Sequence, residues 1–72
     1  MMMGLGTVTW FDAKIGYGYI SPDDGTPDVF VHFTALDLAG LNTLGKGQRV
    51  CYRPTCEGGI TRATNLQVTI AA

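Results

Sequence analysis

The sequence predicts an all-β protein, a small antiparallel barrel of five strands forming one domain over residues 1–72. Short runs of apolar and β-branched residues alternate with Gly, Pro, Asp and Asn, and no helical period lasts longer than two turns. A chain of 72 residues also has little material with which to cover open sheet edges. Closure into a barrel removes those edges, and the pattern therefore favours a closed sheet.

Five runs are the predicted strands, and they cover residues 6–11, 15–21, 28–33, 48–56 and 60–70. The first is rich in β-branched and aromatic residues, which suit a pleated surface. Residues 22–27, 45–47 and 57–59 consist mainly of Gly, Pro, Asp and other turn formers. These segments are therefore expected to be the connections between strands.

Two places depart from this simple alternation. Residues 34–39 are expected to form a helical turn, with Thr34 as its cap and Gly40 as its end. Pro54 lies inside the fourth run and cannot donate a ladder hydrogen bond. We therefore expect the strand to be an edge, or to carry a bulge, at Pro54.

The composition limits the classes of function. Net charge is −1, and the five cationic residues are scattered singly, whereas proteins that hold duplex DNA usually carry a basic stripe. Any affinity for nucleic acid must come largely from something other than charge. Neither a membrane-spanning apolar run nor a signal-peptide pattern occurs, so we expect a cytoplasmic protein without membrane contact.

The residues that usually carry catalysis or bind metal are few. Cys51 and Cys56 lie five strand steps, about 16 Å, apart and on opposite faces, so we expect reduced thiols. His32 is the only histidine and is far in sequence from both. We therefore expect no metal site, cofactor, small-molecule substrate or catalytic site, and we interpret the adjacent Asp23 and Asp24 as a solvated turn.

The third run has two faces of different character. Side chains two apart share a face, so Val29 and Val31 lie together and Phe30 lies with His32. Valines are the natural core pair, because a histidine is seldom fully buried. This alternation predicts that Phe30 and His32 face solvent.

The second run has the same alternation. Tyr17 and Tyr19 share one face, and Gly16 and Gly18 share the other with Ile20. Inward glycines would allow close backbone approach in a small barrel and would direct both tyrosines outward. Although a single aromatic residue on a strand more often fills the core, rings at matching positions on two strands favour a surface for binding.

Flat exposed rings suit one class of ligand especially well. Each base of a single strand that stacks on an aromatic side chain contributes about 1–3 kcal/mol. Duplexes hide these base faces, so such a surface would select unpaired strands. Stacking would also provide affinity without a large positive charge.

Three segments closely resemble the bacterial cold-shock domain, namely residues 6–11 (GTVTWF), 16–20 (GYGYI) and 28–33 (DVFVHF). The second and third look like the paired ribonucleoprotein motifs of that family. The resemblance continues, in the family's order and spacing, through residues 39–44, 47–50 and 63–66. It covers nearly the whole chain, from about residue 5 to residue 68.

The resemblance implies a five-stranded oligonucleotide-binding barrel (OB fold) that binds single-stranded RNA and DNA with low sequence preference. We expect the protein to be a monomer. It also implies an RNA chaperone that acts in transcription and translation under cold or other stress. The residues that it assigns to nucleic-acid binding are Trp10, Phe11, Lys14, Tyr17, Tyr19, Asp28, Phe30, His32 and Phe33. For Trp10, Phe11 and Phe33 the assignment rests mainly on the resemblance, which also implies that the Asp28 carboxylate accepts a hydrogen bond from a base edge.

Some positions depart from the family's pattern. Thr9 and Ile15 stand where lysines are common, and Leu41 stands where an aromatic residue is common. Loss of two cations is expected to lower the salt slope of binding by up to about 2 units. Loss of the loop aromatic removes about one stacking contact. Lys14, one step before Ile15, would point away from the rings unless the turn redirects it.

A second interpretation assigns the aromatic face to another protein. A protein-interaction barrel, or a dimer that pairs through its rings, would also explain exposed aromatics beside an acidic composition. Sedimentation and binding to oligonucleotides distinguish the two interpretations.

Overall fold

Five strands and one short helix make up the part of the chain that the computed structural model describes, residues 3–68. They are β1 (Gly4–Asp12), β2 (Tyr17–Pro22), β3 (Val29–His32), α1 (Phe33–Leu38), β4 (Arg49–Glu57) and β5 (Ile60–Val68). The strands close into a barrel in the order β1-β2-β3-β5-β4, which β4 completes by pairing with β1. The predicted all-β five-stranded barrel is confirmed, and one contact, between β3 and β5, is parallel.

The second strand begins two residues later than predicted. The Gly16 amide donates to the Asp12 carbonyl over 2.8 Å, so the residues between them form a turn. Gly16 has φ +82°, a left-handed conformation that glycine adopts without a Cβ clash. Strand β2 can therefore start only at Tyr17.

The helix is capped by a different residue from the one predicted. Thr34 was expected to be the cap, but the cap is His32, whose ring Nδ1 accepts a hydrogen bond from the Thr34 amide over 3.3 Å. The imidazole replaces the expected hydroxyl, and the helix starts at Phe33. Its predicted end at Gly40 is confirmed, because Gly40 has φ +76° and the Leu41 amide donates to the Leu36 carbonyl over 2.8 Å.

Among the described residues, Pro54 has a strand partner on one side only, which agrees with the predicted edge. Within residues 3–68, strand β4 pairs with β1 only through residues 49–52, and at Pro54 the described ladder is the one to β5, where Pro54 is opposite Ala63. The bulge in this strand lies between Cys51 and Arg53 rather than at Pro54.

Both cysteines, Cys51 and Cys56, are free thiols, as expected. The predicted strand positions 69 and 70 lie outside the described residues.

The core fills the barrel with aliphatic side chains and one tyrosine. Its buried members are Val8, Ile20, Val29, Val31, Leu36, Leu44, Val50, Tyr52, Ala63 and Leu66. Tyr52 is the largest of the fully buried side chains, and burial raises the pKa of its hydroxyl. None of the helices within residues 3–68 is both long enough and apolar enough to cross a membrane.

Gly18 lets β2 lie unusually close to β1. A Cβ at this position would lie 2.7 Å from the Phe11 Cα and would overlap the Trp10 carbonyl oxygen. Both of these are backbone atoms, which cannot rotate away as the end of a long side chain can. The inward-facing glycine that the alternation predicts is therefore required by contact between two strands.

Substitution Gly18→Ala is expected to lower the free energy of unfolding by about 2 kcal/mol, because overpacking forces the β1 backbone to move. Gly45→Ala is the matched control, since a Cβ there meets nothing within 4 Å. The control should stay within about 0.5 kcal/mol of wild type. Urea unfolding measures both, and equal stability of the two variants would contradict the close approach.

One ion pair ties β4 to the connection after β2. The Arg49 guanidinium donates to both carboxylate oxygens of Asp23, over 2.6 and 2.5 Å, and also to the Thr7 hydroxyl. The hydrogen bond from Arg49 is the main reason that the pKa of Asp23 lies below its usual value of 3.8. The pair is exposed, so its contribution to stability is modest.

This ion pair makes the free energy of unfolding fall as the pH is lowered. Because folding lowers the pKa of Asp23, its contribution is present above the unfolded pKa and disappears as the pH falls through the folded value. Asp23→Asn should therefore destabilise the protein near neutral pH, with the difference from wild type shrinking below about pH 4. Urea unfolding over this range measures it. A difference that does not change with pH would contradict the role of the ion pair.

Candidate nucleic-acid interface

The register of β2 and β3 brings four of the predicted rings together. Tyr17 pairs with His32 and Tyr19 pairs with Phe30, and paired residues project to the same side of a sheet. All four side chains are half-buried, whereas Val31, on the opposite face, is fully buried. The predicted arrangement, with the valines facing the core and these four rings facing outward, is confirmed.

A β-bulge turns Trp10 to the same side. Val8 faces the core, and in a regular strand Trp10, two residues later, would also face inward. The register between β1 and β2 shifts between Val8 and Trp10, so Trp10 lies opposite Tyr19 with 39% of its surface exposed. The Thr9 hydroxyl, at the bulge, donates to the Tyr19 carbonyl over 3.1 Å.

The start of α1 places Phe33 beside His32. Alternation would direct adjacent residues to opposite faces, but the helix begins at Phe33 and changes the direction of the chain. The two ring centroids are 4.4 Å apart. Gly16 supports this position, because its carbonyl accepts from the Phe33 amide and a Cβ on Gly16 would lie 2.9 Å from the Phe33 ring.

Six rings thus form one connected surface, called the ring array here, made of Trp10, Tyr17, Tyr19, Phe30, His32 and Phe33. Neighbouring centroids are between 4.4 and 6.4 Å apart. The angles between ring planes range from 32° to 89°. No pair is parallel, so the array contains no face-to-face stack, and its partly exposed rings offer surface to flat ligands.

Three residues assigned by resemblance lie outside the ring array. Phe11 pairs with Gly18 and packs partly against the core. Lys14 lies in the exposed β1–β2 turn and lines a shallow depression together with Phe33 and Leu41, so the turn brings it towards that end of the array. Asp28 is exposed immediately before β3. Their roles in binding stay predictions.

Sequence reasoning missed the cationic residue that lies beside Phe30. Arg62 lies directly opposite Phe30 in the parallel pairing of β3 with β5. Alternation within β5 indicates only that Arg62 and Ala63 face opposite ways. That β5 adjoins β3 is a property of barrel closure, and no local signal in the chain reveals it.

The closed five-stranded barrel with this order of strands belongs to the OB class of all-β folds. The chain is a member of the cold-shock domain family, a nucleic-acid-binding family, because the family model described as "'Cold-shock' DNA-binding domain" matches residues 4–69. The resemblance noted from the sequence is thereby confirmed.

Curated relatives carry corresponding names. A probable cold shock protein, y4cH, of Sinorhizobium fredii is 48% identical over 68 residues, which cover 92% of this chain and 99% of the relative. Cold shock protein CspA of Rhizobium meliloti is 47% identical over 90% of this chain and 97% of its own length. Cold shock-like protein CspE of Escherichia coli K12 is 50% identical over 69% and 72%.

The two faces of β3 should respond differently to truncation. Phe30→Ala removes ring–ring contacts on the outside and is expected to cost about 1 kcal/mol of stability. Val31→Ala, its neighbour in the core, leaves a cavity and is expected to cost about 2 kcal/mol or more. Urea unfolding of the two variants measures the difference. A larger loss for Phe30→Ala would show that this ring serves mainly as core.

Proposed function

We propose that this protein binds single-stranded RNA and DNA with little sequence preference and acts as an RNA chaperone. In this role it keeps RNA unpaired during transcription and translation under cold or other stress, in the cytoplasm. The observation that carries the proposal is the ring array, six adjacent rings on the outer face of a nucleic-acid-binding fold.

Stacking can supply the affinity that charge does not. With a net charge of −1 the protein gains little from general attraction to phosphates. Each base stacked on an aromatic ring contributes about 1–3 kcal/mol, so three or four stacked bases suffice for useful binding. Every base has a π-face, which explains the low sequence preference.

The same contacts account for chaperone activity. A ligand shifts an equilibrium by as much as its affinities for the two states differ. The ring array can contact bases only where they are unstacked and unpaired. Binding therefore favours the open form of an RNA hairpin, without any need for an energy source.

Two departures from the family pattern weaken the electrostatic part of binding. Thr9 provides no cation, and its hydroxyl is engaged with the Tyr19 carbonyl. Ile15 is exposed and uncharged. Leu41 packs partly against the core where the family usually has an aromatic residue. We therefore expect weaker binding than is usual for the family, with a larger share from stacking and a smaller dependence on salt.

The test is titration with a short oligopyrimidine, single-stranded and as its duplex, in about 50 mM and about 200 mM salt. Trp10, the only tryptophan, reports binding by its fluorescence. We expect quenching by the single strand, little by the duplex, and a logarithmic salt slope no steeper than about −2, which corresponds to about three phosphates. Equal affinity for both forms, or none for either, would contradict the proposal.

Removal of one ring should weaken this binding without unfolding the protein. Phe30→Ala and His32→Ala are each expected to lower the affinity by about 1–3 kcal/mol. Leu5→Ala is the control, because Leu5 is an exposed apolar side chain outside the ring array. Unchanged affinity in both ring variants would overturn the proposal.

Sedimentation of the free protein should show a monomer, and a stable dimer that binds no oligonucleotide would support the protein-interaction interpretation instead.

A further inference from the structure

The outward face of the barrel continues beyond the ring array onto β5. Phe30 and Arg62 are directly paired, so their side chains project to the same side of the sheet. Ala63, the next residue, is buried in the core. Arg62 and Thr64 are therefore on the outside, with Arg62 next to Phe30 and Thr64 displaced along the strand towards His32.

The face extends one strand further, onto β4. Thr55 pairs with Arg62, and Arg53 pairs with Thr64. The Thr64 hydroxyl donates to the Arg53 carbonyl over 3.1 Å and lies 3.3 Å from the Thr55 hydroxyl, which fastens the two strands together here. Arg53 and Arg62 are thus diagonal neighbours on this face, a spacing of about 7–8 Å. We call these two residues the arginine margin.

The arginine margin is available to a ligand. The nearest carboxylate to Arg62 among residues 3–68 is that of Glu57, at 4.0 Å and 76% exposed, a pair of little energetic value. No salt bridge to Arg53 occurs within the described residues. Arg49, by contrast, is held by two short hydrogen bonds to Asp23.

The surroundings of Arg62 also leave room for part of a nucleotide. A cleft of about 200 Å³ lies between α1 and β5, with Arg62, His32 and Leu38 among its lining residues. Its walls are mainly apolar, and His32, a member of the ring array, lies at its edge. A strand that follows the rings towards His32 therefore passes beside the Arg62 guanidinium.

We propose that the arginine margin binds the phosphates of a single strand whose bases stack on Phe30 and His32, with Arg62 as the main contact. This inference rests on the proposed function and adds the site of its electrostatic contribution. Guanidinium groups suit it, because their planar donors match two phosphate oxygens at once. The margin would thus replace, on β5 and β4, cations that the family commonly has at the positions of Thr9 and Ile15.

The test compares Arg62→Gln with Lys46→Gln in the oligopyrimidine titration. Both variants lose one positive charge, but Lys46 lies in the exposed turn at residues 45–47, which hydrogen-bonds to β1 at Val8 and is not part of β4 or β5. One phosphate contact on a single strand contributes about 0.7 to the salt slope. Arg62→Gln should therefore reduce the magnitude of the salt slope by about 0.7. As a result, the loss of affinity relative to wild type should be about eightfold larger at 50 mM salt than at 1 M. Lys46→Gln should change neither quantity, and Arg62→Lys should keep most of the slope.

The outcomes separate this inference from the proposed function. If wild type binds the single strand, and Arg62→Gln has the same slope and affinity, the arginine margin is not a phosphate site while the ring array stands. Equal losses in Arg62→Gln and Lys46→Gln would reduce the effect to net charge and also overturn the inference. If wild type fails to bind, the proposed function itself fails. Thermal unfolding of each variant confirms that the compared proteins are folded.

Discussion

The close approach of β1 and β2 at Gly18 is the constraint on which the ring array depends. At this point Gly18 lies against the backbone of Trp10 and Phe11, and a methyl group would force the strands apart. The same contact region contains the bulge that turns Trp10 outward and the hydrogen bond from Thr9 to Tyr19. Trp10 can lie within 5.7 Å of the tyrosine rings only because the two strands meet so closely.

The alternation of β2 and β3 was predictable because it is local. Inward valines and glycines with outward rings follow from a period of two, and Val31, Tyr17 and Phe30 lie where that period places them. Trp10 and Phe33 were not predictable in this way. A bulge reverses the alternation before Trp10, and the start of a helix reverses it at Phe33. Only the family resemblance anticipated their position.

Two further differences remain, one local and one non-local. The His32 cap depends on a ring nitrogen meeting the Thr34 amide, whereas sequence rules favour the threonine hydroxyl. The parallel contact between β3 and β5, which brings Arg62 beside Phe30, depends on how the barrel closes. Neither a residue type nor a spacing along the chain specifies such a contact.

Two of the few cations differ in how far the protein itself engages them. Arg49 is committed to Asp23 and fastens β4 to the connection that follows β2. Arg62 has only a distant, exposed partner and adjoins the rings. In a protein of net charge −1, the proposed binding depends on such placement more than on total charge, because a guanidinium beside a stacked base would lie close to a phosphate.

The central claim is that the faces of the outward rings receive unpaired bases, and NMR of the isotope-labelled protein with an unlabelled oligopyrimidine tests it most directly. The account predicts intermolecular nuclear Overhauser effects between base protons and the ring protons of Tyr17, Tyr19 and Phe30. Effects confined to the exposed apolar side chains of Met3 and Leu38, with the ring protons unaffected, would contradict it.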